Sequence, residues 1–199
     1  PYVIIGYNSD IAWGLTNMGP DVQDLFIEKI NPNNENQYEV DNEWIDMQRT
    51  TEIIEVAGSD PIVIEVRETH HGPIVSDRSF PINLTSEEGE STFREEARIN
   101  LPNDFAVSLS WSALIPGETF VGIREFNYAS NWEEFREATK KFHVPAQNLL
   151  YADRNGNIGY QSPGKLPIRR DGLYGDLPIE GWLSENDWKG FVAFENLPF

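Results

Sequence analysis

Residues 142–169 read FHVPAQNLLYADRNGNIGYQSPGKLPIR and contain the strongest local signal in the sequence. At its centre is Asn155-Gly156, a dipeptide that tolerates the positive φ angles of a tight hairpin turn. Strand-forming residues stand on both sides of this turn, Leu149–Tyr151 before it and Ile158–Tyr160 after it. The stretch therefore predicts a rigid β-hairpin.

Polar side chains flank both ends of this hairpin. Asn148 stands where an irregular segment, residues 145–147, becomes the first strand. The basic pair Arg169-Arg170 follows the second strand, after Gly164 and Pro167. The hairpin thus carries a neutral hydrogen-bonding group at one end and a cation near the other.

The rest of the chain is predicted to be mainly β-structure. Alternating apolar residues and turn signals predict strands at Tyr2–Gly6 (buried), Ile11–Thr16, Asp21–Ile30 and Val107–Trp111, and hairpins at 37–47 (turning at Asp41-Asn42) and 51–66. One helix is predicted over residues 131–142, begun by a capping box at Ser130 and Glu133. Residues Ser86–Ser91 read as an acidic surface loop.

Composition and charge exclude several classes of function. Hydrophobic content of 39% with 12% aromatic residues is enough for a core, so the chain is not a disordered one. A net charge of −18 disfavours nucleic acid and anionic membranes, which require clustered Lys and Arg. With no cysteine, thiolate nucleophiles, disulfides and Cys-ligated zinc are excluded. No apolar run reaches the ~18 residues of a membrane span.

Four blocks of sequence, in order, resemble the β-chain of the penicillin acylases, which are N-terminal-nucleophile hydrolases. They are GYNSDIAWGLTN at 6–17, DVQDLF at 21–26, HGP at 71–73 and NLLYADRNGNIGY at 148–160. The resemblance covers nearly the whole chain. It implies an α+β fold, mainly antiparallel β, forming part of the family's αββα sandwich, with residues 1–199 as a single partial domain.

The resemblance also implies a mechanism and partners. In the family, the β-chain begins with a nucleophilic serine whose own α-amino group serves as its base, whereas this sequence begins at Pro1. We therefore expect an internal segment of a β-chain, inactive alone, from an amide hydrolase that works through an acyl-serine. The expected partners are the α-chain, the remainder of the β-chain and a small N-acyl amide such as a penicillin or an N-acyl-homoserine lactone. A periplasmic or extracellular location is expected for the parent protein.

Asn148 and Asn17 are the candidate oxyanion-hole residues under this resemblance. A preorganised neutral N–H donor stabilises the charge that develops on an attacked carbonyl oxygen, typically by about 3–4 kcal/mol. Asn148 would donate from its side chain and Asn17 from its backbone. In relatives the position of Asn17 is often small or apolar, so asparagine departs from the pattern. Without the resemblance, Asn148 reads as a turn asparagine that caps local backbone.

Arg169 matches an arginine that the family places near the oxyanion asparagine, where it would orient the surroundings of the serine. Arg170 is adjacent and could be the equivalent residue instead. A solvent-exposed loop arginine remains the alternative interpretation of either.

A structural calcium ion is implied at Asp21, Gln23 and Asp24, with Gln23 binding through its backbone oxygen. Carboxylates and carbonyls are the ligands that calcium prefers, and further ligands would come from elsewhere, including the α-chain. Asp153-x-Asn155-x-Asn157 superficially resembles a calcium loop, but its glycine falls at the fourth place rather than the sixth. We interpret it as the hairpin turn.

His70 and His71 invite a metal-binding interpretation. Adjacent residues of a strand point to opposite faces, so we do not expect the two to share an ion. We expect His71-Gly72-Pro73 to be a packing and turn element.

Two other functions remain open. A calcium-dependent carbohydrate-binding module is suggested by the β-rich pattern, the acidic loops and Trp182 and Trp188, which look exposed. A glycosidase using Glu133 and Glu134 ranks last, because neighbouring helical residues do not flank one bond.

Overall fold

The structure is a computed structural model. It describes residues 2–77, 79–80, 91–92, 102 and 104–199. Most of the predicted acidic loop Ser86–Ser91 lies outside these described residues. Within them, no helix is both long enough and apolar enough to cross a bilayer.

Strands dominate the described part of the chain. In chain order they are β1 Gly6–Tyr7, β2 Ile11–Asn17, β3 Gln23–Asn31, β4 Asn34–Val40, β5 Glu43–Asp46, β6 Gln48–Ile54, β7 Ile62–Thr69, β8 Gly72–Pro73, β9 Ser79–Phe80, β10 Ser91–Thr92, β11 Phe105–Trp111, β12 Gln147–Asp153, β13 Ile158–Gln161 and β14 Ile179–Glu180. The helices are α1 Thr119–Phe126 and α2 Trp132–Thr139, with short 3₁₀ turns at Ser112–Leu114, Ser184–Asn186 and Phe194–Asn196.

Two compact units divide the chain. The first contains Pro1–Val22, Trp111–Ile168 and Trp188–Phe199. Its sheet has the antiparallel order β1-β2-β12-β13. One face of that sheet buries Leu149 and Tyr151 in a cluster with Phe126 of α1 and Phe135 of α2, so the helices and the predicted hairpin share one core.

The second unit contains Gln23–Ser110 and Arg169–Asp187. One of its sheets has the order β11-β3-β4-β5, with β14 parallel to β3, and another has the order β6-β7-β8. The core includes Ile30, Tyr38, Met47, Ile74 and Ala106. The prediction that residues 1–199 are a single partial domain stays a prediction.

Most of the predicted strands are confirmed. The turn at Asp41-Asn42 has the expected positive φ angles of 48° and 70°, and β6 pairs with β7 along its whole length. The buried strand predicted at Tyr2–Gly6 is wrong, because residues 2–5 are 39–57% exposed. The side-chain amide of Asn127 takes the place of a strand partner there, bonding both the N–H (2.8 Å) and the C=O (3.0 Å) of Val3.

The helix prediction was right in place and wrong in detail. Asn131, not Ser130, is the N-cap, since its side chain accepts from the backbone N–H of Glu134 at 2.9 Å. The carboxylate of Glu134 reaches back to Ser130, so the cap is shifted by one residue from the predicted box. Helix α1 was not predicted at all; its glycine, Gly122, packs against the Ala138 carbonyl, where a Cβ would come within 2.9 Å.

Candidate functional site

The predicted oxyanion residues lie on neighbouring strands at one end of the first unit's sheet. Strand β12 pairs with β2 over seven residues, which places Asn148 opposite Thr16 and Gln147 opposite Asn17. Strand β13 pairs with the other edge of β12 and completes the predicted hairpin. Gly156 has the positive φ angle, 88°, and its N–H closes the turn on the Asp153 carbonyl, whereas Asn155 is not among the positive-φ residues. Asn148 is therefore held in a central strand rather than in a loop.

The carboxamide of Asn148 faces Asn17. Its Nδ2 donates to the Oγ1 of Thr16 and to the backbone oxygen of Asn17, both at 3.3 Å. The orientation of the amide follows from chemistry, because a backbone oxygen only accepts, so the group facing Asn17 must be the NH₂. Both bonds are long for N–H···O contacts, and a stronger acceptor can draw Nδ2 away from them.

Asn17 lies at the end of the β2–β12 ladder. Met18 N–H donates to the Ala146 carbonyl (3.3 Å), and Gln147 N–H donates to the Pro163 carbonyl on the other side of β12 (3.2 Å). Hydrogen-bonded and non-hydrogen-bonded pairs alternate along an antiparallel ladder, so Asn17 and Gln147 form a non-hydrogen-bonded pair. In such a pair the Asn17 N–H does not bond Gln147, and its role as an oxyanion donor stays a prediction.

Tyr160 is a site residue that the sequence analysis missed. Its hydroxyl donates to the Oδ1 of Asn148 at 2.7 Å, the shortest contact of that carboxamide. The signal was available, since the Asn155-Gly156 turn sets Tyr160 opposite Leu150. That register puts Tyr160 on the same face as Asn148, two positions away, which is the diagonal relation in which long side chains meet. We call Asn148, Asn17, Thr16 and Tyr160 the amide site.

Arg169 lies in the second unit, paired with Asp24. Its Nε donates to Asp24 Oδ2 at 2.8 Å, and the two side chains are 13% and 0% exposed. Its Nη2 also reaches the backbone oxygen of Gln23 at 3.4 Å. Arg170 instead pairs with Glu185 at the surface. Of the two arginines, Arg169 is the one whose side chain is largely buried and paired with a buried carboxylate. Its catalytic role stays a prediction.

The same contacts bear on the predicted calcium site. The carboxylate of Asp24 and the carbonyl of Gln23 are oxygen donors of the kind calcium prefers. Both also contact Arg169, so an ion bound there would share its ligands with a guanidinium. Asp21 belongs to the first unit and is exposed. Calcium at Asp21, Gln23 and Asp24 stays a prediction.

The Asp153 motif is a hairpin turn, as interpreted. Asp153 Oδ1 accepts from the backbone N–H groups of Asn155 (2.9 Å) and Asn157 (3.0 Å), and Oδ2 accepts from the Asn157 side chain (2.8 Å). These hydrogen bonds, led by that from the Asn157 side chain, hold the pKa of Asp153 below its usual value. The carboxylate is thus used to fix the turn that sets the register of Tyr160.

The two adjacent histidines lie in a turn between β7 and β8, which we call the histidine turn (Thr69–Gly72). The turn and packing role is confirmed: the His71 ring stacks on Phe26 at 3.7 Å. The expectation that the histidines point apart is wrong, because neither is in a strand. Their ring centroids are 3.8 Å apart, and the Nε2 atoms of His70 and His71 lie 3.4 and 3.0 Å from the same oxygen, Asp187 Oδ1.

A buried carboxylate stands behind this turn. Glu28 Oε1 contacts His71 Nδ1 (2.8 Å) and accepts from Thr69 Oγ1 (2.8 Å) and Ser108 Oγ (2.6 Å). Burial raises the pKa of Glu28, but the hydrogen bond and charge of His71 and the two hydroxyls together lower it below its usual value.

The tryptophans and the glutamate pair behind the two alternative functions make other contacts in the structure. Trp182 is half-buried, with the Lys29 ammonium 4.6 Å from its ring centre, and Trp188 packs on Phe191. Glu134 is engaged with Ser130, whose backbone hydrogen bond lowers the pKa of Glu134, the opposite of what a general acid requires.

Comparison with known proteins identifies the class. The family model for penicillin amidase matches residues 1–199. The chain is 32% identical over 193 residues to an acyl-homoserine lactone acylase, QuiP, of Pseudomonas fluorescens, covering 96% of this chain and 21% of that protein. It is 30% identical over 199 residues to a penicillin G acylase of Escherichia coli, covering 100% of this chain and 21% of that protein.

A solved structure supports the same protein family. The thermostable penicillin G acylase of Alcaligenes faecalis matches with a TM-score of 0.76 at 29% identity, covering 99% of this chain and 32% of that one. The protein belongs to the penicillin amidase family. The predicted fold class, mainly antiparallel β-structure from an N-terminal-nucleophile hydrolase sandwich, is confirmed. The chain spans about a fifth of the length of the curated relatives it matches, 21% in each case.

Proposed function

We propose that these residues carry the oxyanion-binding part of an amide hydrolase, with Asn148 and the backbone N–H of Asn17 as the two donors. The observation that carries the proposal is the placement of the Asn148 carboxamide against Asn17 at the end of the β2–β12 ladder, with Nδ2 3.3 Å from the Asn17 oxygen. Two neutral donors on a rigid sheet suit a carbonyl oxygen that becomes negative during attack. Neither donor titrates, so the site would keep its donors across the working pH range.

The reaction would proceed through an acyl-enzyme. A serine supplied from outside these 199 residues attacks the amide carbon, and the carbonyl oxygen acquires charge and draws Nδ2 of Asn148 away from Thr16. The serine's own α-amino group would take the proton of the hydroxyl and pass it to the nitrogen of the departing amine, and water would then hydrolyse the ester and regenerate the serine. Tyr160 keeps the Oδ1 of the amide turned away from the oxyanion throughout, because it donates to that atom.

The substrate class follows from the relatives. One is named as an acyl-homoserine lactone acylase and another as a penicillin G acylase. Both names describe removal of an acyl group from an amide nitrogen, so we propose a small N-acyl amide as the substrate. The remaining catalytic and acyl-binding residues would come from other parts of the enzyme, namely the α-chain and the rest of the β-chain.

Calcium would have a structural role only. Gln23 and Asp24 would supply a carbonyl and a carboxylate oxygen, and the ion would reinforce the neutralisation of Asp24 that Arg169 already provides. It takes no part in bond breaking. Calcium removal with a chelator should lower the melting temperature of the full-length protein, and Asp24→Asn should abolish that response.

The test is Asn148→Ala in the full-length protein, assayed with an N-phenylacetyl chromogenic amide and an N-acyl-homoserine lactone. Loss of one oxyanion donor should reduce kcat about 10²–10³-fold with KM little changed. The matched control is Asn155→Ala, an exposed asparagine of the same hairpin that bonds Asp153 through its backbone. Equal activity of Asn148→Ala and wild type on both substrates would refute the assignment.

A covalent label tests the origin of the nucleophile. A sulfonyl fluoride that inactivates the full-length enzyme should modify one serine, and peptide mapping should place it outside these 199 residues. A label on a serine within them would contradict the proposed mechanism, whatever the effect of Asn148→Ala.

A further inference from the structure

The histidine turn holds three metal-binding groups within reach of one ion. The Nε2 atoms of His70 and His71 and a carboxylate oxygen of Asp187 all lie within 4.8 Å of one another. All three residues belong to the second unit, and so do the groups behind them. None of them contributes to the amide site.

The turn has the sequence it needs to bring both rings to one side. Thr69 Oγ1 accepts from His71 N–H at 3.2 Å, which closes the turn locally. Gly72 has a φ of 140°, and a Cβ at this position would be 2.2 Å from the Leu109 carbonyl oxygen. Only glycine fits there, so the chain doubles back and the His70 and His71 rings lie side by side.

Each histidine has a second partner on its Nδ1. Glu28 Oε1 is 2.8 Å from Nδ1 of His71, and the Tyr38 hydroxyl is 3.1 Å from Nδ1 of His70. Such a partner behind the ring is what fixes the tautomer and orientation of a metal-ligating histidine. In both residues Nε2 is the atom left to face Asp187.

His71 has a carboxylate oxygen at each of its ring nitrogens. Glu28 Oε1 lies 2.8 Å from Nδ1, and in the tautomer with its hydrogen on Nδ1 the ring presents the lone pair of Nε2 to Asp187. That lone pair faces a carboxylate oxygen of Asp187 at 3.0 Å. Two acceptors at this distance repel unless a second proton or a metal ion lies between them. The other oxygen of Glu28, Oε2, is buried with no hydrogen-bond partner among the described residues.

The distances suit zinc. Zinc–nitrogen bonds of about 2.0–2.1 Å in a tetrahedron put neighbouring ligand atoms about 3.3 Å apart, and the Nε2–Oδ1 distances here are 3.4 Å for His70 and 3.0 Å for His71. Two imidazoles and one carboxylate form a ligand set that zinc accepts, with water in the fourth position. The side chains of His70 and Asp187 are about one-third exposed, 35% and 34%, so solvent reaches that position.

We propose that His70, His71 and Asp187 form a binding site for a zinc-like divalent transition metal, with Glu28 and Tyr38 as the partners that orient the histidines. The site is separate from the predicted calcium ligands, which are all oxygens. It is independent of the proposed amide hydrolysis, so either proposal can fail without the other.

Metal titration of the full-length protein tests this. The protein is stripped with a chelator and titrated with Co²⁺ or Zn²⁺ by calorimetry, in excess Ca²⁺ so that any site made of oxygen ligands is filled. We expect a Co²⁺ equivalent that shows visible absorption of tetrahedral type and weakens at least 10-fold in His70→Gln and in Asp187→Asn. Glu28→Gln should weaken it 10–100-fold with all three ligands kept.

The chain offers its own control. His143 is the third of its three histidines and belongs to the first unit, so His143→Gln should bind as wild type does. Absence of binding, or binding that His70→Gln and Asp187→Asn leave unchanged, would overturn the proposal. A proton, rather than a metal ion, would then lie between His71 Nε2 and Asp187. If the variants do not fold, anomalous scattering from a zinc-soaked wild-type crystal decides instead. A peak bonded to His71 Nε2 supports the site, and its absence refutes it.

Discussion

Replacing Tyr160 with phenylalanine tests whether the Asn148 amide must be held before the substrate arrives. The substitution removes one hydroxyl and keeps the ring, so the hairpin retains its packing. What is lost is the 2.7 Å bond to Asn148 Oδ1. The remaining contacts of the carboxamide, to Thr16 and Asn17, are both 3.3 Å long and restrain it weakly.

The expected fall in kcat follows from the strength of the hydrogen bond between Tyr160 and Asn148. A neutral hydrogen bond of this kind contributes about 0.5–1.5 kcal/mol. At about 1.4 kcal/mol per tenfold change in rate, kcat should fall about 2- to 12-fold. KM should stay nearly constant, because the amide binds the oxyanion more strongly than the ground-state carbonyl. The assay is steady-state hydrolysis of a chromogenic N-acyl amide by the full-length enzyme.

A double-mutant cycle separates positioning from a general structural effect. If Tyr160 acts through Asn148, then Tyr160→Phe should have no further effect on kcat in the Asn148→Ala background. Tyr151→Phe is the matched control, since its hydroxyl bonds Asp153 in the same hairpin at 3.1 Å and should leave kcat unchanged. Full additivity of Tyr160→Phe and Asn148→Ala would refute the positioning role.

Three further predictions concern the first unit and are measured by thermal and denaturant unfolding. Gly159→Ala should lower the free energy of unfolding by about 1–3 kcal/mol, because the new Cβ would be 2.5 Å from the Trp132 ring. Gly14→Ala, which has open space around the new Cβ, should lower it by less than half as much. Asn131→Ala should lower the free energy of unfolding by about 1 kcal/mol, because the N-cap hydrogen bond of α2 is lost. Asn131→Asp keeps the acceptor and should change the free energy of unfolding little. Burial, aided by a nearby lysine, lowers the pKa of His143. As pH drops below about 6.5, the imidazole of His143 is therefore protonated in the unfolded chain before it is protonated in the folded one, and the free energy of unfolding falls. His143→Gln should flatten that loss, and an unchanged pH profile would contradict it.

The hairpin and its asparagine could be predicted from sequence because the signals are local. Asn155-Gly156 specifies the turn within a few residues, and the turn sets the register on both sides. Tyr160 follows from the same register, but its contact with Asn148 requires pairing the strands explicitly rather than naming them. The placement of Asn148 against Asn17 spans more than 130 residues of chain, and only the family resemblance supplied it.

The errors arose where a local rule met a longer-range contact. The rule that adjacent residues point apart holds in strands, and it failed at His70 and His71 because Gly72 turns the chain there. The apolar run at residues 2–5 was assigned to a buried strand, yet Asn127 satisfies its backbone from a distant helix end. Neither Asn127 nor Asp187 gives a sequence signal that points to its partner.

The amide site depends on core residues that never touch a substrate. Leu149 and Tyr151 are 0% and 3% exposed and alternate along β12 with Asn148. Because side chains of a strand alternate between faces, a slip of one residue in the β2–β12 register would turn Asn148 into the core and Leu149 out of it. Burial of those two side chains against Phe135 resists that slip with several kcal/mol of apolar transfer energy. The orientation of the oxyanion donor is therefore a consequence of hydrophobic packing on the opposite face of the sheet, and large-to-small substitutions in that core should impair catalysis through register before they unfold the protein.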